Sequence, residues 1–127
     1  MSVAVTSIYA SLLAILLIIL SAFVSKNRLR AHVSVGAGGD MALENAMRAQ
    51  GNFVEYVPLA VLLLLLAELQ GGQTWLLHAF GLTLLAGRLL HAWGITRENN
   101  VNNARKIGVS MTWLMLLAAA VYNLWKF

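Results

Sequence analysis

The sequence contains no cysteine, only one proline and few charged residues. Without cysteine among its 127 residues, the chain cannot form a disulfide, a thiolate metal site or a thiol nucleophile of its own. Any sulfur chemistry must therefore come from a bound small molecule. Charged residues make up 11% of the chain and hydrophobic residues 60%, whereas roughly a quarter of the residues of soluble domains are charged. This composition predicts that lipid surrounds most of the chain.

Four apolar segments are long enough to cross a bilayer, whose hydrocarbon core requires about 20 residues per helix. The first has no charged side chain from Met1 to Ser25. A cleaved signal peptide would place Lys or Arg before a shorter apolar stretch, but the first cation here is Lys26, after it. The sequence predicts helices at about residues 3–25, 42–69, 74–95 and 104–125. We therefore expect an all-α integral membrane protein, a single domain over residues 1–127 that forms a four-transmembrane-helix bundle.

The basic residues predict how this bundle is oriented. They follow the first segment and surround the link between the third and fourth: Lys26, Arg28, Arg30, Arg97, Arg105 and Lys106. Because cytoplasmic loops are enriched in Lys and Arg, both termini should lie on the non-cytoplasmic side. These cations account for the net charge of +4. No basic run with interleaved aromatic residues exists, so no nucleic-acid partner is predicted.

The links between the helices suggest turns and caps rather than a metal or phosphate site. The run Gly36-Ala37-Gly38-Gly39 lacks the Gly-Lys-Ser/Thr of a phosphate-binding loop. Asp40 is suited to cap the second helix, and a cap of the fourth is expected near Asn103. The three histidines lack the spacing and the carboxylate neighbours of a metal-ligand set.

Polar residues within the apolar segments form two stripes. Arg48, Asn52 and Glu55 fall within about 60° of one another on a helix of 3.6 residues per turn, and Arg88 and His91 share a face of the third helix. Ionisable residues in the hydrocarbon are costly and nearly always face the bundle interior. At about 1.5 Å per residue, Glu55 and Arg88 should reach matched depths roughly 10 Å inside the cytoplasmic surface. The sequence thus predicts an ion pair between them.

That ion pair alone could serve only to hold two helices together, and a lone His91 is more often a satisfied interior residue. The excess of arginine favours a ligand site instead. Four arginines should lie near one face, against Glu55 as the carboxylate at membrane depth: Arg28, Arg48, Arg88 and Arg105. Guanidinium groups bind carboxylates bidentately, so a small polyanion with peptide-like groups would fit.

The chain resembles the MAPEG family, the membrane-associated proteins in eicosanoid and glutathione metabolism. The most specific similarity is residues 48–58, RAQGNFVEYVP, and further similarity covers residues 28–30, Gly39, Glu44 and residues 87–91. Together with the four-helix layout, the resemblance spans nearly the whole chain. It is strongest to short bacterial members of the inner membrane.

The resemblance implies a homotrimer, with glutathione bound between neighbouring subunits near the cytoplasmic side. It implies that these residues bind glutathione or organise its site: Arg28, Arg48, Asn52, Glu55, Tyr56, Arg88, His91 and Arg105. Arg105 would match the arginine that stabilises the glutathione thiolate. A nearby cation lowers a thiol pKa and makes the thiolate available to attack a lipophilic electrophile that arrives from the membrane.

The resemblance leaves two functions open. The first is a glutathione-dependent transferase or peroxidase in which catalysis depends on Arg105 or Arg88. The second is a non-catalytic lipid-binding or scaffold protein, favoured by Ile95, which stands where the eicosanoid enzymes have a tyrosine. A small multidrug transporter, also of four helices, would need a carboxylate in its first helix, and this chain has none there.

Overall fold

The chain forms four helices joined by short links. In this computed structural model, which describes residues 2–127, the helices are α1 (Ala4–Ala31), α2 (Met41–Leu69), α3 (Thr74–Ile95) and α4 (Asn103–Lys126). The predicted all-α architecture and the number of helices are confirmed. The bounds predicted for α2, α3 and α4 differ from the observed ones by at most one residue.

The predicted end of α1 was wrong, because the helix continues to Ala31 rather than stopping near Ser25. Loss of hydrophobicity after residue 25 marks the membrane surface, but Lys and Arg are good helix formers and prolong the helix into water. Arg28 and Arg30 therefore belong to its last turn, where cations stabilise the negative end of the helix dipole. His32 ends the helix in the left-handed conformation.

Three of the helices, α1, α2 and α4, are long and apolar enough to cross a membrane. The remaining helix, α3, is 22 residues long, which corresponds to about 33 Å at 1.5 Å per residue. Its average hydropathy is lowered by Arg88, His78 and His91. Two of these side chains, Arg88 and His91, are buried inside the bundle, so a transmembrane position of α3 remains a prediction supported by their burial.

The link between α1 and α2 is fixed at both of its ends. Arg28 donates a hydrogen bond from Nη1 to the carbonyl of Gly36 at 2.7 Å. Arg30 forms a salt bridge with Asp40 at 2.6 Å, and Asp40 also accepts from the backbone N–H of Leu43. Asp40 is therefore the N-cap of α2, as predicted. The Arg30 guanidinium, followed by the Leu43 N–H, holds the pKa of the Asp40 carboxyl below its usual value.

The helices are arranged around a rhombus, in which α2 and α3 contact each other across the short diagonal. Contacts join α1 to α2 and α3, and α4 to the same two helices, so α1 and α4 lie on opposite corners. The closest approach is between α3 and α4. A Cβ atom added at Gly108 would lie 2.6 Å from the carbonyl oxygen of Gly87 and against the backbone nitrogen of His91. This contact requires glycine and brings the side chains of α4 next to the polar stripe of α3.

At the end of the bundle where α1 begins, Glu68 joins two helices. Its carboxylate accepts the backbone N–H groups of Val5 and Thr6 at 2.9 and 2.7 Å. It thereby satisfies donors that the first turn of any helix leaves unpaired. Near it, the hydroxyl of Tyr9 and Nδ1 of His78 are 2.9 Å apart. Glu68 is the only acidic residue at this end of the bundle, and these contacts show that it caps α1.

Candidate functional site

Arg88 is the centre of a polar cluster between α2, α3 and α4. Its side chain is only 2% exposed. Nη1 donates to Oδ1 of Asn52 on α2 at 2.6 Å, and Nε donates to the hydroxyl oxygen of Thr112 on α4 at 3.0 Å. Three helices thus meet at one guanidinium group, which explains how a charged side chain is held in an otherwise apolar bundle.

Both partners of Arg88 are neutral, so its positive charge is not balanced within one chain. Among residues 2–127 the remaining guanidinium nitrogen, Nη2, is buried and has no hydrogen-bond partner. A buried unsatisfied donor costs about 1–3 kcal/mol, and more when it is charged. The carbonyl of Asn52 is occupied by Arg88, which leaves its amide NH₂ group available to donate. This cluster can therefore bind an anion.

Tyr56 forms one wall of the cluster. The Arg88 Cζ atom lies 5.9 Å from the centre of the Tyr56 ring. The same ring packs edge-on against Trp113 of α4, with ring centres 6.5 Å apart. Because Tyr56 follows Asn52 by four residues, both side chains lie on the same face of α2. The aromatic pair separates the guanidinium group from the hydrocarbon.

The predicted ion pair between Glu55 and Arg88 was wrong. Its depth argument holds, because Glu55 and Arg88 are equally distant from the short turn between α2 and α3. The predicted direction of the Glu55 side chain is wrong, because Glu55 is turned about 60° around α2 from Asn52 and is exposed on the outside of the bundle. Asn52 makes the contact with Arg88 that the sequence assigned to Glu55. In the described residues the only salt bridge is the one between Arg30 and Asp40.

Two further predicted site residues, His91 and Arg105, lie near the cluster without a hydrogen bond to Arg88. His91 is 3% exposed and lies within electrostatic range of Arg88, Arg105 and Arg48. Arg105, half-buried, donates from Nη1 to the carbonyl of Asn100 at 3.0 Å. Two of the four predicted arginines, Arg88 and Arg105, thus lie near His91 at the end of the bundle that holds the link between α3 and α4.

Two of the predicted arginines are placed differently from the cluster. Arg28 is half-buried and packs against Met47 of α2, with 3.6 Å between Nη2 and the sulfur. Arg48 is exposed on the outer face of α2, beside Glu55. In a single copy of the chain these residues are therefore not assembled with Arg88.

Sequence reasoning missed Thr112, which is completely buried. Its hydroxyl accepts from Arg88 and donates to the carbonyl of Gly108 at 3.0 Å, so it fixes the orientation of the guanidinium group. The available signal was a hydroxyl within the apolar run from Ile107 to Trp125. A threonine hydroxyl often donates to a carbonyl of its own helix in this way. A threonine in an apolar run therefore only weakly indicates a functional site.

Comparison with known proteins shows the family to which the chain belongs. The model of the family described as "MAPEG family" matches residues 6–125. The chain is 41% identical to the inner membrane protein YecN of Escherichia coli strain K12, over 121 residues that cover 95% of this chain and 91% of that protein. The protein of the same name from Escherichia coli O6:H1, strain CFT073, has the same identity and coverage. The family match includes every residue of the cluster around Arg88.

Proposed function

Because the chain belongs to the MAPEG family, we propose that it binds glutathione at the Arg88 cluster and acts on lipophilic electrophiles within the membrane as a glutathione-dependent transferase or peroxidase. The observation that carries the proposal is the buried Nη2 of Arg88, a charged donor without a partner among residues 2–127. The protein is a multi-pass membrane protein, and its similarity to YecN places it in the inner membrane.

The residues present fit glutathione, which has two carboxylates, one ammonium group and two amides. Nη2 of Arg88 lacks a partner and can bind one carboxylate when the side chains that bury it move, and the free amide group of Asn52 can donate beside it. Arg48 can hold a second carboxylate, whereas Glu55 suits the ammonium group. The cluster, together with Arg48 and Glu55 on the outer face of α2, therefore offers a complement to each charged group of the tripeptide.

A second copy of the chain would complete this site. In one copy, Arg48 and Glu55 are exposed on the outer face of α2. Glu55 is at the middle of that helix, where a charged side chain in lipid costs about 2.5–3.5 kcal/mol. Covering that face with a neighbouring subunit would remove both side chains from lipid and enclose the ligand between subunits. This geometry supports the homotrimer that the family resemblance implies.

We expect the purified protein to be trimeric and a bulky residue at position 51 to disrupt the trimer. A Cβ atom at Gly51 would meet nothing within 4 Å in its own chain. We therefore expect a monomer to tolerate a side chain there and the Trp of Gly51→Trp to obstruct a subunit interface on this face. Light scattering on the detergent-solubilised protein should show three copies for the wild type and fewer for Gly51→Trp. Leu82→Trp, at an exposed position of α3, should remain trimeric. A monomeric wild type would contradict the prediction.

In this proposal, Arg105 stabilises an anion at the cytoplasmic end of the site. Its Nη1 is held by the carbonyl of Asn100, and in the described residues its other guanidinium nitrogens donate to nothing. Bound glutathione supplies a thiol that becomes nucleophilic as the thiolate. The charges of Arg105 and Arg88 favour that deprotonated form, while Tyr56 and Trp113 keep the surroundings apolar.

The test of the proposed function is the thiolate absorbance in the ultraviolet when glutathione is added to the detergent-solubilised protein. We expect the wild type to develop this absorbance at neutral pH and Arg105→Leu to lose it. Lys106→Leu removes the neighbouring exposed cation and should retain it. No binding of glutathione by the wild type would reject the proposal.

The non-catalytic alternative is favoured by one observation. Ile95 is 2% exposed and belongs to the apolar core, so no phenol is available one turn after His91. If the wild type binds glutathione but forms no thiolate, a lipid-binding or scaffold function follows instead. The same titration therefore separates the two functions.

A further inference from the structure

A groove on the surface of the bundle is unrelated to the Arg88 cluster. It has a volume of about 570 Å³ and lies between α1 and α3. Nine residues line it, almost all of them apolar: Leu16, Ile19, Leu20, Phe23, Leu89, Leu90, Ala92, Trp93 and Thr96. In the rhombic arrangement of the helices, the edge formed by α1 and α3 is opposite the edge formed by α2 and α4. The second subunit proposed above would cover Arg48 and Glu55 on the outer face of α2.

Cations are found at one end of this groove. Because α1 and α3 run in the same direction, the ends of both helices reach the same membrane surface. Two residues after the end of α3, the Arg97 guanidinium lies over the Trp93 ring, with 4.0 Å between Cζ and the ring centre. On α1, Lys26 follows Phe23 by three residues and therefore continues the face that lines the groove. Both cations are exposed.

Neither cation has an acidic partner. Among residues 2–127 the single salt bridge is that of Arg30 with Asp40. Glu98 is adjacent to Arg97 in sequence but lies beyond salt-bridge distance of it. Arg97 is instead held by the aromatic ring of Trp93, a residue type that is enriched at the membrane interface. The groove thus combines an apolar channel with a pair of unbalanced positive charges at the depth of the lipid headgroups.

The geometry points to a binding site for one anionic phospholipid of the surrounding bilayer. An acyl chain lies in the groove between α1 and α3, and the headgroup phosphate is bound by Arg97 and Lys26. Trp93 contributes to both parts, because it lines the groove and supports the guanidinium group. The site is independent of glutathione, since it shares no residue with the Arg88 cluster.

Native mass spectrometry of the detergent-solubilised protein tests this site. The protein is incubated with an equal mixture of phosphatidylglycerol and phosphatidylethanolamine, and the retained lipid is measured. The wild type should retain phosphatidylglycerol preferentially. Since each cation near a membrane surface contributes about 1 kcal/mol, Arg97→Gln should reduce the preference about fivefold. Lys106→Gln, an exposed cation at the same end but on α4, should leave it unchanged.

A second variant tests the groove itself. Ala92→Leu extends a side chain into the channel and should lower the retention of phosphatidylglycerol without changing the response of the protein to glutathione. If Lys106→Gln and Arg97→Gln reduced the preference for phosphatidylglycerol equally, the preference would come from the overall charge, and the proposed site would be rejected. It would also be overturned by a wild type without lipid preference, as expected if a second copy of the chain occupied the groove, or by full retention in Ala92→Leu.

Discussion

Replacing Arg88 with leucine is expected to weaken glutathione binding by one to two orders of magnitude. Hydrogen bonds to a charged group contribute about 1.5–3 kcal/mol each, and Nη2 of Arg88 is the buried donor available to an anion. The variant also releases Asn52 and Thr112, which then have no common partner. Equilibrium dialysis with labelled glutathione measures the loss.

Two further variants separate charge from geometry at this position. Arg88→Lys keeps the positive charge but cannot contact Asn52 and Thr112 with a planar fork, so we expect affinity between that of the wild type and that of Arg88→Leu. Arg97→Gln removes an exposed cation at the same end of α3 and should bind glutathione as the wild type does. Unchanged affinity in Arg88→Leu would remove Arg88 from the site.

The second large effect is expected at the contact between α3 and α4. Alanine in place of a helical glycine normally gains about 1 kcal/mol. At Gly108 the added methyl group would collide with the backbone of Gly87 and His91, and overpacking of this kind costs about 1–3 kcal/mol. We therefore expect Gly108→Ala to lower the melting temperature in detergent, and a larger side chain to lower it further.

This substitution also bears on the site. The carbonyl of Gly108 accepts the hydroxyl of Thr112, which in turn orients Arg88. Displacement of α4 should consequently weaken glutathione binding together with stability. Ser110→Ala, an exposed position two residues further along α4, is the matched control and should change neither. A variant Gly108→Ala as stable as the wild type would show that the helices can separate without cost.

The helices could be predicted from the sequence because a bilayer imposes a simple rule on apolar length. The same rule gave the wrong end for α1, because hydropathy marks where the membrane ends and not where the backbone hydrogen bonding of the helix ends. Asp40 was identifiable as a cap because an aspartate before an apolar run has a local function. Residues acting through their immediate neighbours are thus the ones that sequence reveals most directly.

The site was less predictable because it depends on the rotation of helices about their own axes. Spacing correctly grouped Asn52 with Arg48 and Glu55, and it placed Glu55 at the depth of Arg88. It could not determine which member of the stripe faces α3, and the answer is Asn52. Arg88 also donates to Thr112 of α4. That helix can lie close enough to α3 only because residue 108 is glycine. Such three-helix contacts have no signature in a linear pattern.

Family membership was evident from residues 48–58 before the fold was known, and the match over residues 6–125 confirms it. The structure adds a physical reason for this motif. Its conspicuous charges, Arg48 and Glu55, face outward in a single chain, while its neutral members Asn52 and Tyr56 contact Arg88. The motif thus has one face that contacts its own bundle and one face that is directed outward.

The most direct measurement is the binding of labelled glutathione to the purified wild-type protein by equilibrium dialysis, at millimolar and lower concentrations. We predict saturable binding, with a dissociation constant raised at least tenfold in Arg88→Leu and unchanged in Arg97→Gln. Absence of saturable binding by a stable, trimeric wild type would contradict the assignment of the Arg88 cluster as a glutathione site.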